Sequence, residues 1–136
     1  MNPNRLSEAG MSCYCDYDYS EFPTLYAEST VKARREHRCC ECLGAIKTGE
    51  SYQRRSGKWE GQFQSFKTCQ RCIDFEANIK AHIPCFRVCS IGDLIQDAVE
   101  CLLDYREEAS TLLFGAYRRD ILRRRNATAI RATRAA

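Results

Sequence analysis

The chain has 136 residues, 10 of them cysteine, with 29% charged residues and a formal net charge of +3. That length suits one domain of ordinary size, or a metal module with a helical extension. No apolar run reaches membrane-spanning length and Asn2 to Gly10 is polar with no cleavable leader pattern, so the expectation is no membrane partner and a reducing cytoplasm, where thiols stay free.

Residues 1–30 read as an extended arm. Its segment Cys13 to Pro23 mixes Asp16, Asp18 and Glu21 with Tyr14, Tyr17, Tyr19 and Phe22, a composition suited to packing on the next module or to docking a basic partner. Cys13 and Cys15 form one close pair, and Cys85 and Cys89 form another further on; together they would make a second metal site, which the spacing allows without requiring. Lys32, Arg34, Arg35 and Arg38 then give a basic approach, read as solvated surface or as phosphate contact.

Residues 31–84 carry the strongest signal, two Cys-x-x-Cys pairs at Cys39/Cys42 and Cys69/Cys72. Four soft thiolates at tetrahedral geometry leave no open coordination position, which predicts a structural Zn2+ that performs no chemistry. Arg38 to Gly44 reads as a knuckle whose N–H groups point at sulfur, with Gly44 taking positive φ. After a Lys47-Thr48-Gly49-Glu50 turn, Ser51 to Ser56 and Gln62 to Thr68 alternate as strands of one hairpin, joined by a Gly57 to Gly61 loop. The second pair opens a helix from Cys69 to Ala81, whose positive N-terminus favours thiolates. The fold class is a small α+β zinc-binding domain: a treble-clef-like knuckle, β-hairpin and helix, followed by an α-helical C-terminal region. With four cysteines at hand, His37 is not needed as a ligand, and Cys40 packs or stays free. On the hairpin, Arg54, Arg55, Lys58 and Lys67 accompany Tyr52, Trp59, Phe63 and Phe66. Such a mixture covers a thin core, stacks single-stranded nucleic acid, or anchors a protein partner at Trp59.

Cys39-Cys40-Glu41-Cys42, Ile46-Lys47 with Gly49-Glu50 and Tyr52, Ser56 to Gly61, and Phe66 to Cys72 together resemble small four-cysteine zinc-motif accessory proteins of tailed bacteriophages and prophages, mostly uncharacterised. In those proteins glycine usually follows the second cysteine directly, where this chain has Leu43 before Gly44. The resemblance implies phage or prophage origin and action in a bacterial host cytoplasm.

Residues 85–125 read as helical. Ser90 with Asp93 is the expected N-cap, and Ile91, Leu94, Ile95, Ala98, Val99 and Leu102 share a wide apolar face. The pattern continues as a four-three repeat through Tyr105, Ala109, Leu112 and Ala116. It supports either a homodimer through helix 91–116 or two antiparallel helices broken near Glu107 to Ser110. From Tyr117 onward seven arginines stand against Asp120, which makes that end +6 and the rest of the chain −3. Arg118, Arg119, Arg123, Arg124 and Arg125 are its candidate phosphate contacts, and residues 126–136 read as a basic disordered tail.

Catalysis finds no support. The histidines are His37 and His82, the carboxylates are scattered, and no nucleophile elbow or phosphate-binding glycine loop occurs. Two binding functions remain. In one, the zinc module and Trp59, with Arg54, Arg55 and Lys58, engage a bacterial host protein or nucleoprotein to modify or inhibit it. In the other, the Arg-rich helix binds DNA or RNA as a regulator. The acidic body of the chain favours the first.

Overall fold

The computed structural model of the chain describes residues 26–135. Most of the arm, with Cys13 and Cys15, lies outside the described residues. Within them the architecture is α+β: a three-stranded antiparallel sheet in the order β1 (Tyr26–Lys32), β4 (Ser51–Trp59), β5 (Gln62–Cys69), a two-stranded ribbon of β2 (His37–Arg38) and β3 (Ala45–Ile46), and three helices. These are α1 (Gln70–His82), α2 (Leu94–Asp104) and α3 (Ser110–Ala135).

The hairpin is longer than its sequence suggests, because Gly57 and Lys58 extend β4 instead of forming a loop. The chain reverses in two residues, Glu60 (φ 50°) and Gly61 (φ 80°). Positive φ at both positions matches the right-handed twist of the flanking strands, and the pairing runs unbroken from Trp59↔Gln62 to Tyr52↔Cys69. Strand β1 crosses the expected boundary at residue 30 and pairs with β4 from Tyr26↔Gly57 to Lys32↔Ser51. It lies at the sheet edge with almost every residue exposed, so it lacks the apolar alternation that marks a half-buried strand.

The four-three seam is not one continuous helix. Residues 105–109 break it, and α3 folds back on α2, so that Ile95, Ala98, Leu102, Ala109 and Ala116 are buried inside this chain. The boundary expected at residue 126 is also absent, since α3 continues as helix to Ala135. None of the three helices is long and apolar enough to cross a membrane.

One core serves the described chain. Ile46, Ile79, Ile83, Phe86, Leu94, Ile95 and Leu102 pack together with Cys39, Cys42, Cys69 and Cys72, so the thiols lie inside the hydrophobic interior. Glu60 is the one non-glycine residue at a left-handed position in the hairpin turn. Glu60→Asn should therefore stabilise the protein by about 0.5–1 kcal/mol and raise the thermal midpoint by roughly 2–6 °C, measured by circular dichroism.

Candidate metal centre

The first cysteine pair is held by the ribbon. Pairing of His37 with Ile46 and Arg38 with Ala45 closes the intervening segment, where the Cys39 N–H donates to Gly44 O (2.9 Å) and the Leu43 N–H to Cys39 O (3.1 Å). Leu43, not Gly44, takes the left-handed conformation (φ 60°). Gly44 is required for space: a Cβ there would lie 3.3 Å from Cys42 Sγ and 3.5 Å from Asn126 Nδ2. The second pair sits where strand becomes helix, with Cys69 ending β5 and Cys72 in the first turn of α1. The Cys40 N–H donates to Lys67 O at 2.8 Å and ties the knuckle to β5.

All four sulfurs lie within 4.8 Å of one another and all four cysteines are buried, a group able to hold a metal ion. Cys39 Sγ stands 3.8 Å from Cys72 Sγ, and Cys42 Sγ stands 3.8 Å from Cys69 Sγ. Donors converge on them: Glu41 N–H (3.4 Å) and Cys69 N–H (3.3 Å) on Cys39, Gly44 N–H (3.4 Å) on Cys42, and Arg119 Nη2 (3.3 Å) on Cys72. Each such bond favours thiolate over thiol. Mutual hydrogen bonds within the four bring the Cys42 thiol down to about 7 and Cys69 lower still, and hold Cys39 and Cys72 well above the usual thiol range, so two positions give up protons easily and the other two keep theirs until a cation competes.

Three polar side chains reach the cluster from far away in sequence. The Arg119 guanidinium also lies over the Phe75 ring, 5.2 Å from its centroid, so it serves the cluster instead of an exposed cationic surface. Asn126 donates from Nδ2 to Cys42 O at 3.0 Å. Glu41, between the first two cysteines, is 2% exposed, and burial raises its carboxyl to about 6. Its Oε1 accepts the Leu94 N–H (3.4 Å) at the start of α2. That end has Asp93 in the cap position without a side-chain capping bond, and Ser90 contributes its carbonyl to the Asp93 N–H (3.1 Å). The expected Ser90 cap is thus replaced by a carboxylate from the knuckle. A signal for the α3 contacts exists: Arg119, Arg123, Asn126 and Ile130 follow the buried Ala116 at helical spacing and share its inward face.

The remaining candidates separate. The His37 ring lies against Tyr52, with centroids 5.4 Å apart. The Cys40 thiol lies 3.5 Å from Thr68 Oγ1, and burial pushes it up to about 11, which makes it unreactive. Cys85 and Cys89 join no second metal-sized cluster among the described residues, and Cys13 and Cys15 lie outside these.

On the sheet, alternation divides the expected partner-binding set. Trp59 and Arg55 point to the side covered by α1, where Trp59 packs edge-on against Tyr26 and Phe66 and Arg55 reaches Glu76 (3.8 Å). Trp59 is thus half-buried by its neighbours at the hairpin end and lines a cleft with Cys89, Ser90 and Ile91. Arg54 and Lys58 point to the opposite side, with Phe63 and Lys67. On α3 the arginines are similarly dispersed: Arg119 turns inward, Arg123 is half-buried, Arg124 pairs with Asp120 (3.0 Å), and Arg118 and Arg125 line a cleft against α1.

Arg119→Ala should weaken metal binding about 10–100-fold while Arg119→Lys recovers part of the loss, read by competition with a chromophoric chelator. Glu41→Ala should destabilise the fold by about 1–3 kcal/mol in urea titrations, and Glu41→Gln by less, because the amide oxygen still accepts. No family model, no curated protein and no solved structure matches this chain.

Proposed function

We propose that the four-cysteine group holds one structural Zn2+ in a treble-clef-like module, and that this non-enzymatic module binds single-stranded nucleic acid on the open face of its sheet. Four sulfurs about 2.3 Å from a tetrahedral zinc lie about 3.8 Å apart. The two diagonal pairs here have that separation, 3.8 Å each. Zinc would be held by Cys39, Cys42, Cys69 and Cys72 and would supply folding free energy, on the order of 10–16 kcal/mol. A fully thiolate-ligated ion has no position for an activated water, which supports a binding role.

The observation that carries the nucleic-acid reading is the distribution of charge across the sheet. Cross-strand register places Ser29, Arg54, Ser56, Lys58, Phe63, Ser65 and Lys67 on one face, and no carboxylate of the three strands shares it. Arg54 and Lys67 stand directly opposite each other, a like-charge pairing that costs stability unless an anion relieves it. Phe63, opposite Lys58, is 70% exposed. Flat aromatic surface among cations and hydroxyls suits bases and phosphates together. The carboxylates Glu28 and Glu76 lie on the other side, paired with Gln53, Arg55 and Lys80.

The host-protein reading leaned on Trp59 as an exposed anchor. With Trp59 half-buried and the opposite face of the sheet cationic and free of strand carboxylates, nucleic acid moves ahead. Phage origin and a bacterial cytoplasmic setting remain what the motif resemblance implies.

Fluorescence anisotropy with labelled single-stranded DNA and RNA across a salt series tests this. Three phosphate contacts should give a slope of about −2 in log affinity against log salt. Phe63→Ala should weaken binding by about 1–3 kcal/mol, and Arg54→Ala with Lys67→Ala should flatten the slope. Binding unaffected by all three substitutions, or absent at low salt, would overturn the proposal.

A further inference from the structure

A cleft of about 780 Å³ lies elsewhere, between α1 and α3. Its floor is apolar, built from Phe75, Ile121 and Leu122, and its rim carries Arg71, Arg118 and Arg125. Ile121 is 52% exposed and Leu122 43%, and Phe114 lies on the same outer side of α3 at 68%. Of the large exposed hydrophobic residues among those described, most belong to this one helix. A cluster of that kind marks a surface meant to be covered.

The chemistry of the cleft says what covers it. Arg118 and Arg125 stand seven residues apart, two helical turns or about 10.5 Å, and bracket Ile121 and Leu122. A single lining carboxylate, Asp74, stands against Arg71, Arg118 and Arg125, so the cleft carries an excess of guanidinium charge. Ile121 and Leu122 are aliphatic and the Phe75 ring already has the Arg119 guanidinium over it, so the cleft offers a base less stacking surface than the exposed Phe63 ring. Apolar surface ringed by arginine matches an amphipathic segment whose aliphatic residues are flanked by carboxylates. The groove is also held in shape, because Arg119 and Asn126 fasten α3 to the cysteine cluster before any ligand arrives.

We propose that the α1–α3 cleft docks an acidic amphipathic helix of a partner protein, with its apolar face on Ile121 and Leu122 and its carboxylates on Arg71, Arg118 and Arg125. This surface is separate from the sheet face and does not depend on nucleic-acid binding there.

The test selects from a displayed library of random peptides of about 16 residues, roughly four helical turns, on the full metal-loaded protein. Counter-selection uses the Arg118→Glu/Arg125→Glu variant. All substituted positions are exposed, and unchanged thermal melting confirms that the variants fold. The expected result is enrichment of peptides with Leu, Ile or Phe at helical spacing beside Asp or Glu. The best of them should lose at least about tenfold affinity in the double variant and in Ile121→Ser, and its amide shift changes should map to α1 and α3. Enrichment of basic or unpatterned peptides, or shifts on the sheet, would overturn the proposal. So would displacement of the selected peptide by an oligonucleotide, which would make the cleft a nucleic-acid surface. Concentration-dependent self-association lost in Ile121→Ser would instead assign the cleft to a second copy of the chain.

Discussion

Four sulfur atoms within 4.8 Å of one another inside a small hydrophobic core are the constraint on which the described fold depends. Sulfur held this close cannot remain four separate thiolates, because their charges would repel in a medium that screens poorly. A dication at their centre would turn that repulsion into attraction and crosslink the elements that carry them. Cys39 and Cys42 bring the two-residue strands of the ribbon, Cys69 brings the sheet, and Cys72 brings α1. Among the described residues, the buried hydrophobic ones apart from Phe86 and Tyr52 are aliphatic or cysteine, so this apolar interior alone is thin.

The helical region hangs on the same cluster through polar bonds. Glu41 supplies the acceptor that the start of α2 lacks, and Arg119 and Asn126 attach α3 to Cys72 and to the Cys42 carbonyl. A positive guanidinium beside a thiolate would reduce the net charge buried with a metal held there. The four-cysteine module and helical region, which the sequence presents as successive segments, thus share one core and one electrostatic centre. Both proposed binding surfaces are anchored to it: the sheet through Cys69 at the end of β5, the cleft through α1 and α3.

How much of this was legible varies with the range of the interaction. The cysteine pairs, the hairpin and α1 follow from local spacing and turn chemistry, and the structure places them within a few residues of their expected bounds. The break between α2 and α3 was present in the sequence as one of two readings of a single apolar seam. Periodicity cannot tell a seam buried against its own chain from one buried against another. Strand β1 escaped because an exposed edge strand has no apolar side. Leu43 escaped because a left-handed position normally advertises itself with glycine, and here the neighbouring glycine serves a steric need.

The roles of Arg119, Asn126 and Glu41 were the least legible. Each bonds to a group distant in the chain, by 47, 84 and 53 positions respectively. Arg119 looks in sequence like its arginine neighbours. Only its phase relative to Ala116 sets it apart. Trp59 shows the converse: a large aromatic beside a turn reads as an exposed anchor until the strand register shows it facing the side covered by α1.

The most direct test of the central claim is X-ray absorption at the zinc edge on protein purified without added metal. The expected spectrum shows one zinc per chain with four sulfur neighbours at about 2.3 Å and no oxygen or nitrogen bound to the ion. A mixed set of ligands, or a folded protein containing no metal, would contradict the claim that a closed tetrathiolate ion holds these elements together.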